Sequence, residues 1–136
     1  MATSNAATNY LERRILDFIF KNNALSFASP GNSLYVGLAT AVSAAETGSL
    51  TEATFTNYAR KQVTAANWTT IGADSTDTQT AKNAANIEFD ASGGTSNTIS
   101  HVFVADASTG GNILFVGALD VSKLIADGDI FRINTG

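Results

Sequence analysis

Ile99-Ser100-His101-Val102-Phe103-Val104-Ala105, then Asp106-Ala107-Ser108-Thr109-Gly110-Gly111-Asn112, then Ile113-Leu114-Phe115-Val116-Gly117-Ala118-Leu119 is the stretch that decides the fold. Two runs rich in β-branched and aromatic residues flank a polar segment whose adjacent glycines supply positive φ without steric cost. The pattern predicts a β-hairpin, with both strands buried on at least part of both faces.

Downstream, residues 121–126 are ambiguous, Asp127-Gly128 predicts a turn, and residues 130–133 predict a last strand. Upstream, Ile87 and Phe89 mark a short strand and residues 92–95 a turn. Farther back, Leu34, Val36 and Leu38 share one strand face, with Tyr35 and Gly37 on the other, after a turn signal at Ser29-Pro30-Gly31. Residues 40–57 are rich in Ala, Ser, Thr and Gly and are expected to form an exposed loop. Residues 58–68 predict a strand region with one wet face, anchored to the core by Trp68, and residues 72–83 a solvated loop. Short strands with Gly and Asn turns at roughly 8 to 15 residue spacing point to a mainly β fold. That fold is a small antiparallel β-sandwich or flattened barrel with one N-terminal α-helix, because no crossover helices are present to join parallel strands.

That helix is predicted over residues 10–21. Leu11, Ile15, Phe18, Ile19 and Asn22 follow the 3.6-residue period, Leu16 and Phe20 widen the stripe, and Glu12, Arg13 and Asp17 are expected mostly opposite. Asn9 is the expected N-cap, with Glu12 three residues on, and Asn22 or Asn23 the left-handed C-terminal residue. The apolar stripe is expected to cover the chain's own sheet, with packing on a neighbouring subunit as the alternative. The organisation expected is one domain over residues 1–136, with an N-terminal arm (1–9), the helix (10–21) and the β-sandwich (33–133).

The 136 residues suit one modest core. With 44% hydrophobic and 15% charged residues, against roughly 25% charged in typical domains, the surface must be largely Ser, Thr, Asn, Gly and Ala. A net charge of −4 argues against a nucleic-acid partner, whose phosphates call for clustered Lys and Arg. With no cysteine, disulfides, thiolate metal sites and Cys nucleophiles are excluded. Residues 1–9 lack a signal-peptide pattern, and the apolar stretch 10–20 is broken by charges and is shorter than the roughly 20 residues a membrane span needs. Neither export nor membrane insertion is expected.

Candidate chemistry is thin. His101 lies mid-strand without a nucleophile motif, and a solvent-facing or interface histidine is expected. Asp127 and Asp129 flank Gly128 but lack the further oxygen ligands of a calcium loop. Asp74 and Asp77 sit in a polar segment with nothing to fix their separation. Thr109-Gly110-Gly111-Asn112 opens a strand, with no Lys following, and so is a turn rather than a phosphate loop. Arg60 and Lys61 are expected to pair with Glu46 and Glu52. No catalytic residue, cofactor or metal is assigned, and no enzymatic activity is expected.

Leu34-Tyr35-Val36-Gly37-Leu38, Glu46-Thr47-Gly48 with Glu52, Tyr58-Ala59-Arg60-Lys61-Gln62-Val63, Ile87-Glu88-Phe89, and Thr109 to Phe115 with Gly117-Ala118-Leu119 together resemble a family of small tailed-bacteriophage virion proteins. Proteins of that kind, carried by cyanobacterial phages among others, are described as tail fibre or head decoration proteins. The resemblance implies a structural virion protein made in the host cytoplasm and placed on the capsid surface or tail. Because no repeat supplies a fibre shaft, the leading expectation is a capsid decoration or cement protein contacting the major capsid protein. The alternative is a tail or tail-fibre-associated component contacting tail proteins and host surface glycans. Either form is expected to be a cyclic homo-oligomer, such as a trimer, with a neighbour completing the last sheet edge. Its interface anchors are expected among Tyr10, Phe18, Phe20, Tyr35, Phe55 and Tyr58, some of which core burial should claim.

Overall fold

The structure is a computed structural model that describes residues 4–25, 34–69 and 81–136. In chain order the elements are β1 (Ala6–Ala7), α1 (Asn9–Lys21), β2 (Leu34–Ala44), β3 (Ser49–Glu52), β4 (Lys61–Val63), a 3₁₀ turn (Ala65–Asn67), β5 (Ile87–Glu88), β6 (Asn97–Ala105), β7 (Ile113–Ile125) and β8 (Arg132–Ile133). The fold is mainly β with one N-terminal helix, and every strand pair is antiparallel. One curled sheet runs β1-β7-β6-β2-β3, with β4 also paired to β2, and β5 with β8 form a second, two-stranded sheet. The architecture is a small sandwich or half-barrel.

The hairpin is β6–β7. Gly110 and Gly111 take φ values of 60° and 68°, and Asp106 closes the loop by accepting from the backbone N–H and side-chain amide of Asn112, at 2.7 and 2.8 Å. The central strands β2 and β6 are buried on both faces. Leu38 and Ile99 enter the main core with Val36, Phe55, Phe89, Ile125 and Phe131, while Ala39, Phe103 and Ala105 form a second cluster with Ala45 and Val116. A file of rings runs through the main core. Phe55 and Tyr58 meet edge to face at 5.3 Å, Tyr58 stacks on Phe89 at 6.0 Å, and Phe89 meets Phe131 edge to face at 6.0 Å. Trp68 packs against this core.

Several local expectations are corrected. Residues 40–57 are not an exposed loop. β2 runs on to Ala44 and turns back into β3, and Ala44, Ala45, Ala53 and Phe55 are buried. Alanine has too little side chain to signal burial by bulk, yet it suits a tight hairpin against β6. In residues 58–68 only Lys61–Val63 is strand before the 3₁₀ turn. The ambiguous segment 121–126 continues β7 as far as Ile125. The turn at Ser29-Pro30-Gly31 and the carboxylates Asp74 and Asp77 lie outside the described residues.

Within β7 the pairing with β6 slips. Ile99 faces Lys123 and His101 faces Ala118, so Leu119, Asp120, Val121 and Ser122 stand opposite Ser100 alone. Such a bulge bends the strand and turns side chains outward.

Candidate interaction surfaces

Helix α1 is fastened at one end. The N-cap is Thr8 rather than Asn9. Its hydroxyl accepts from the Leu11 N–H at 3.4 Å and donates to the Ile113 carbonyl at 2.6 Å. The Thr8 N–H reaches Leu114 O at 2.9 Å, and the Asn9 N–H reaches Glu46 O at 2.7 Å. These bonds clamp the helix start to the beginning of β7 and to the β2–β3 turn. Thr8 is chosen over Asn9 because only it also meets a β7 carbonyl. Asn22 ends the helix in the left-handed region at φ 55°.

Beyond Leu11, which packs on Leu114, the stripe expected to cover the sheet is in water. Ile15, Leu16, Phe18, Ile19 and Phe20 are 42, 54, 53, 61 and 78% exposed. The sheet does not need the helix as a lid, because β3, β4, the ring file and the β5–β8 sheet already supply its packing. On the opposite side of the helix Asp17 pairs with Lys21 at 3.2 Å and Arg13 at 3.8 Å, and Arg14 lies 5.1 Å above the Tyr10 ring. Glu12 is a correction: expected opposite the stripe, it heads the exposed apolar row, because Ile15, Leu16 and Ile19 stand three, four and seven residues on along the helix, and no ion pair engages it among the described residues.

A second open apolar surface lies at the far end of β7. There the bulged strand and the segment 129–134 enclose a groove of about 790 Å³, into whose lining Val121, Leu124 and Ile130 bring side chains 68, 63 and 49% exposed. Lys123 and Asp120 line it too. Neither makes an ion pair among the described residues, whereas Arg132 is held by Glu88.

The expected interface aromatics are dispersed. Phe18 and Phe20 stand on the exposed helix face and Tyr10 is half-buried beside it. Tyr35 is half-buried on β2, opposite Ala105. Phe55 is 2% exposed and belongs to the core, out of reach of any partner in this conformation. Tyr58 is half-buried, its hydroxyl donating to Glu52 at 2.7 Å and accepting from the Leu38 N–H at 3.0 Å. The surface residues that aromatic bulk did not point to are Ile15, Leu16, Ile19, Val121, Leu124 and Ile130. A charge placed inside each apolar row, Glu12 in one and Lys123 in the other, was the signal that could have found them.

The polar clusters serve structure. Arg60, its side chain 5% exposed, donates from Nε and Nη2 to the two Glu52 oxygens at 2.8 Å each. Its Nη1 donates to the carbonyls of Ala107 and Gly110, both at 2.8 Å. Burial alone would raise the Glu52 carboxyl, but hydrogen bonds from Arg60 and Tyr58, with the Arg60 charge, outweigh it and hold the group below its ordinary value. Burial and the Glu52 bond push the Tyr58 phenol well above its usual range. Lys61 pairs with Asp90 at 2.8 Å rather than with an upstream glutamate. His101 is half-buried, and its Nδ1 is 2.7 Å from Ser100 Oγ. Asp129 accepts from the Ala126 N–H at 2.9 Å, closing the turn at Gly128. Among the described residues no three His, Cys, Asp or Glu side chains cluster as metal ligands, and no helix is long and apolar enough to cross a membrane.

A sequence model of the family described as "Podophage GP4 fiber I protein gp80" matches residues 6–136. No curated protein matches the sequence.

Proposed function

The chain belongs to the family of the podophage GP4 fiber I protein gp80, and on that premise we propose that it is a small structural part of a phage tail-fibre assembly, working by protein contact. The family is one of tail-fibre-type virion proteins, and its members are structural. The observation that supports a contact role is the helix. A domain with its core already filled holds out five large apolar side chains on an element clamped by its first turn. Covering the exposed half of all five together is worth on the order of 4–7 kcal/mol in gross transfer energy. Because association itself costs about 4–15 kcal/mol, assembly is favoured where a partner supplies a second apolar surface.

The tail is favoured over the shell. Compact size alone would suit a capsid decoration or cement protein on the major capsid protein, but the family match favours the fibre reading. Within it the chain forms a homo-oligomer, cyclic and trimeric in its simplest form, joined to other tail proteins. Host surface glycans would be met at the exposed tip 108–110 of the β6–β7 loop, which Arg60 holds rigid from beneath. The test is to disrupt purified particles, separate heads from tails and quantify this chain in each. It is expected in the tail fraction at low copy number. Recovery with the heads at shell-scale copy number would overturn the fibre assignment.

A further inference from the structure

Helix and groove lie at opposite ends of β7. The helix starts beside Ile113 and Leu114, and the groove is formed by residues 119–125 and 129–134. Seven residues of strand, about 23 Å, separate Leu114 from Val121. One chain therefore presents two exposed apolar surfaces, one convex and one concave, at separate places along β7. Two different surfaces that fit one another make a head-to-tail contact, which builds rings or filaments rather than two-fold dimers. We propose that α1 of one copy seats in the β7–β8 groove of a second copy, with Glu12 against Lys123. This rests on the structural, self-associating reading above and specifies its contact.

Charge selects this pairing. Glu12 would be desolvated in any contact that covers Ile15, Leu16 and Ile19, so the partner surface must bring a cation. Helix against helix brings only cations that already have partners, Arg13 and Lys21 on Asp17 and Arg14 over the Tyr10 ring. The groove brings Lys123, in no ion pair among the described residues, amid Val121 and Leu124; of the two carboxylates that also line it, Asp129 is engaged by the Ala126 N–H and Asp120 is in no ion pair among the described residues. Shape selects a helix as the occupant. Beyond Ala118, β7 has a free outer edge among the described residues, but the bulge at 119–122 and the charges at 120 and 123 spoil it as a template for an added strand. A helix needs only side-chain contacts and can lie across it. The contact covers apolar side chains from both surfaces, which a single helix face cannot do alone.

Two full-length variants test it by sedimentation velocity. L16E/I19E disables the helix and V121E/L124E the groove, and each alters only side chains at least half exposed, so thermal melts should match the wild type. Wild type is expected to self-associate and each variant alone to be monomeric. An equimolar mixture is expected to form a 1:1 heterodimer and nothing larger, because one intact helix then meets one intact groove. As a second arm, E12K and K123E should each weaken association about tenfold or more, and the double reversal should restore it. A monomeric wild type at high concentration, a groove variant that still assembles through helix pairing, or a mixture that stays monomeric would each overturn the proposal. Particle fractionation is a separate readout, so the tail assignment and the contact can fail independently.

Discussion

The Phe103 ring lies over the bare Cα of Gly37, its register partner on the neighbouring strand, so closely that a Cβ at residue 37 would stand 2.7 Å from both ring Cε atoms. On Phe103's ring the Arg60 guanidinium rests 5.0 Å from the centroid. Backbone conformation does not demand glycine here; space does. The stack joins the two central strands to the cluster that holds the β6–β7 loop.

G37A is expected to destabilise the fold by about 1–3 kcal/mol, the usual cost of overfilling a packed core. F103L in that background should recover part of the loss while being destabilising alone, because the two changes share one space. Urea melts of the four proteins check this; additive effects would show that the residues do not compete.

Glu52→Ala leaves the Arg60 guanidinium buried and uncompensated, and the expected loss is about 3 kcal/mol. R60K should also be destabilising, since one ammonium cannot bridge a carboxylate and two carbonyls in the guanidinium's geometry. Hydrogen exchange should show faster exchange at residues 107–111 in R60K, whose loop carbonyls lose their donor.

Acid sensitivity follows from the same cluster. The folded protein holds the Glu52 carboxyl below its ordinary value of 4.5, so the unfolded chain takes up that proton first as pH falls. The contribution is fully present above pH 4.5 and is lost as pH drops through the lower, folded value. Melting temperature should fall below that point in the wild type and fall less steeply in E52Q, measured against the variant's own neutral value. Parallel acid limbs would remove Glu52 from the account.

The helix face and the helix root should respond oppositely. L16E and F20S change residues 54 and 78% exposed and should leave isolated-domain stability within about 0.5 kcal/mol. L11A should cost about 2–3 kcal/mol, and T8A about 1 kcal/mol through the lost cap. Comparable losses at Leu16 and Leu11 would mean that the outer face packs on its own domain.

The hairpin was legible because its pattern is local: bulk and β-branching on both sides of paired glycines at 110 and 111. The helix was legible for the same reason, through its period and its asparagine end. What its apolar stripe touches is a tertiary matter. Nothing within residues 10–21 tells whether the sheet is already covered, and the covering came partly from Ala44, Ala45 and Ala53, which read as loop. The β7 bulge was hidden too, since four residues opposite Ser100 leave no mark in the composition of 119–122. Aromatic size was a poor guide to the surface: it directed attention to Phe55, which is core, and away from Ile15, Leu16, Ile19, Val121 and Leu124.

The most direct test of the central claim, that this domain acts by surface contact within a phage tail, is a side-chain-resolution reconstruction of the intact particle. The account predicts this fold on the tail, with Leu16, Ile19 and Phe20 covered by a neighbouring chain. Finding the fold on the capsid shell, or on the tail with that helix face bare to solvent, would contradict it.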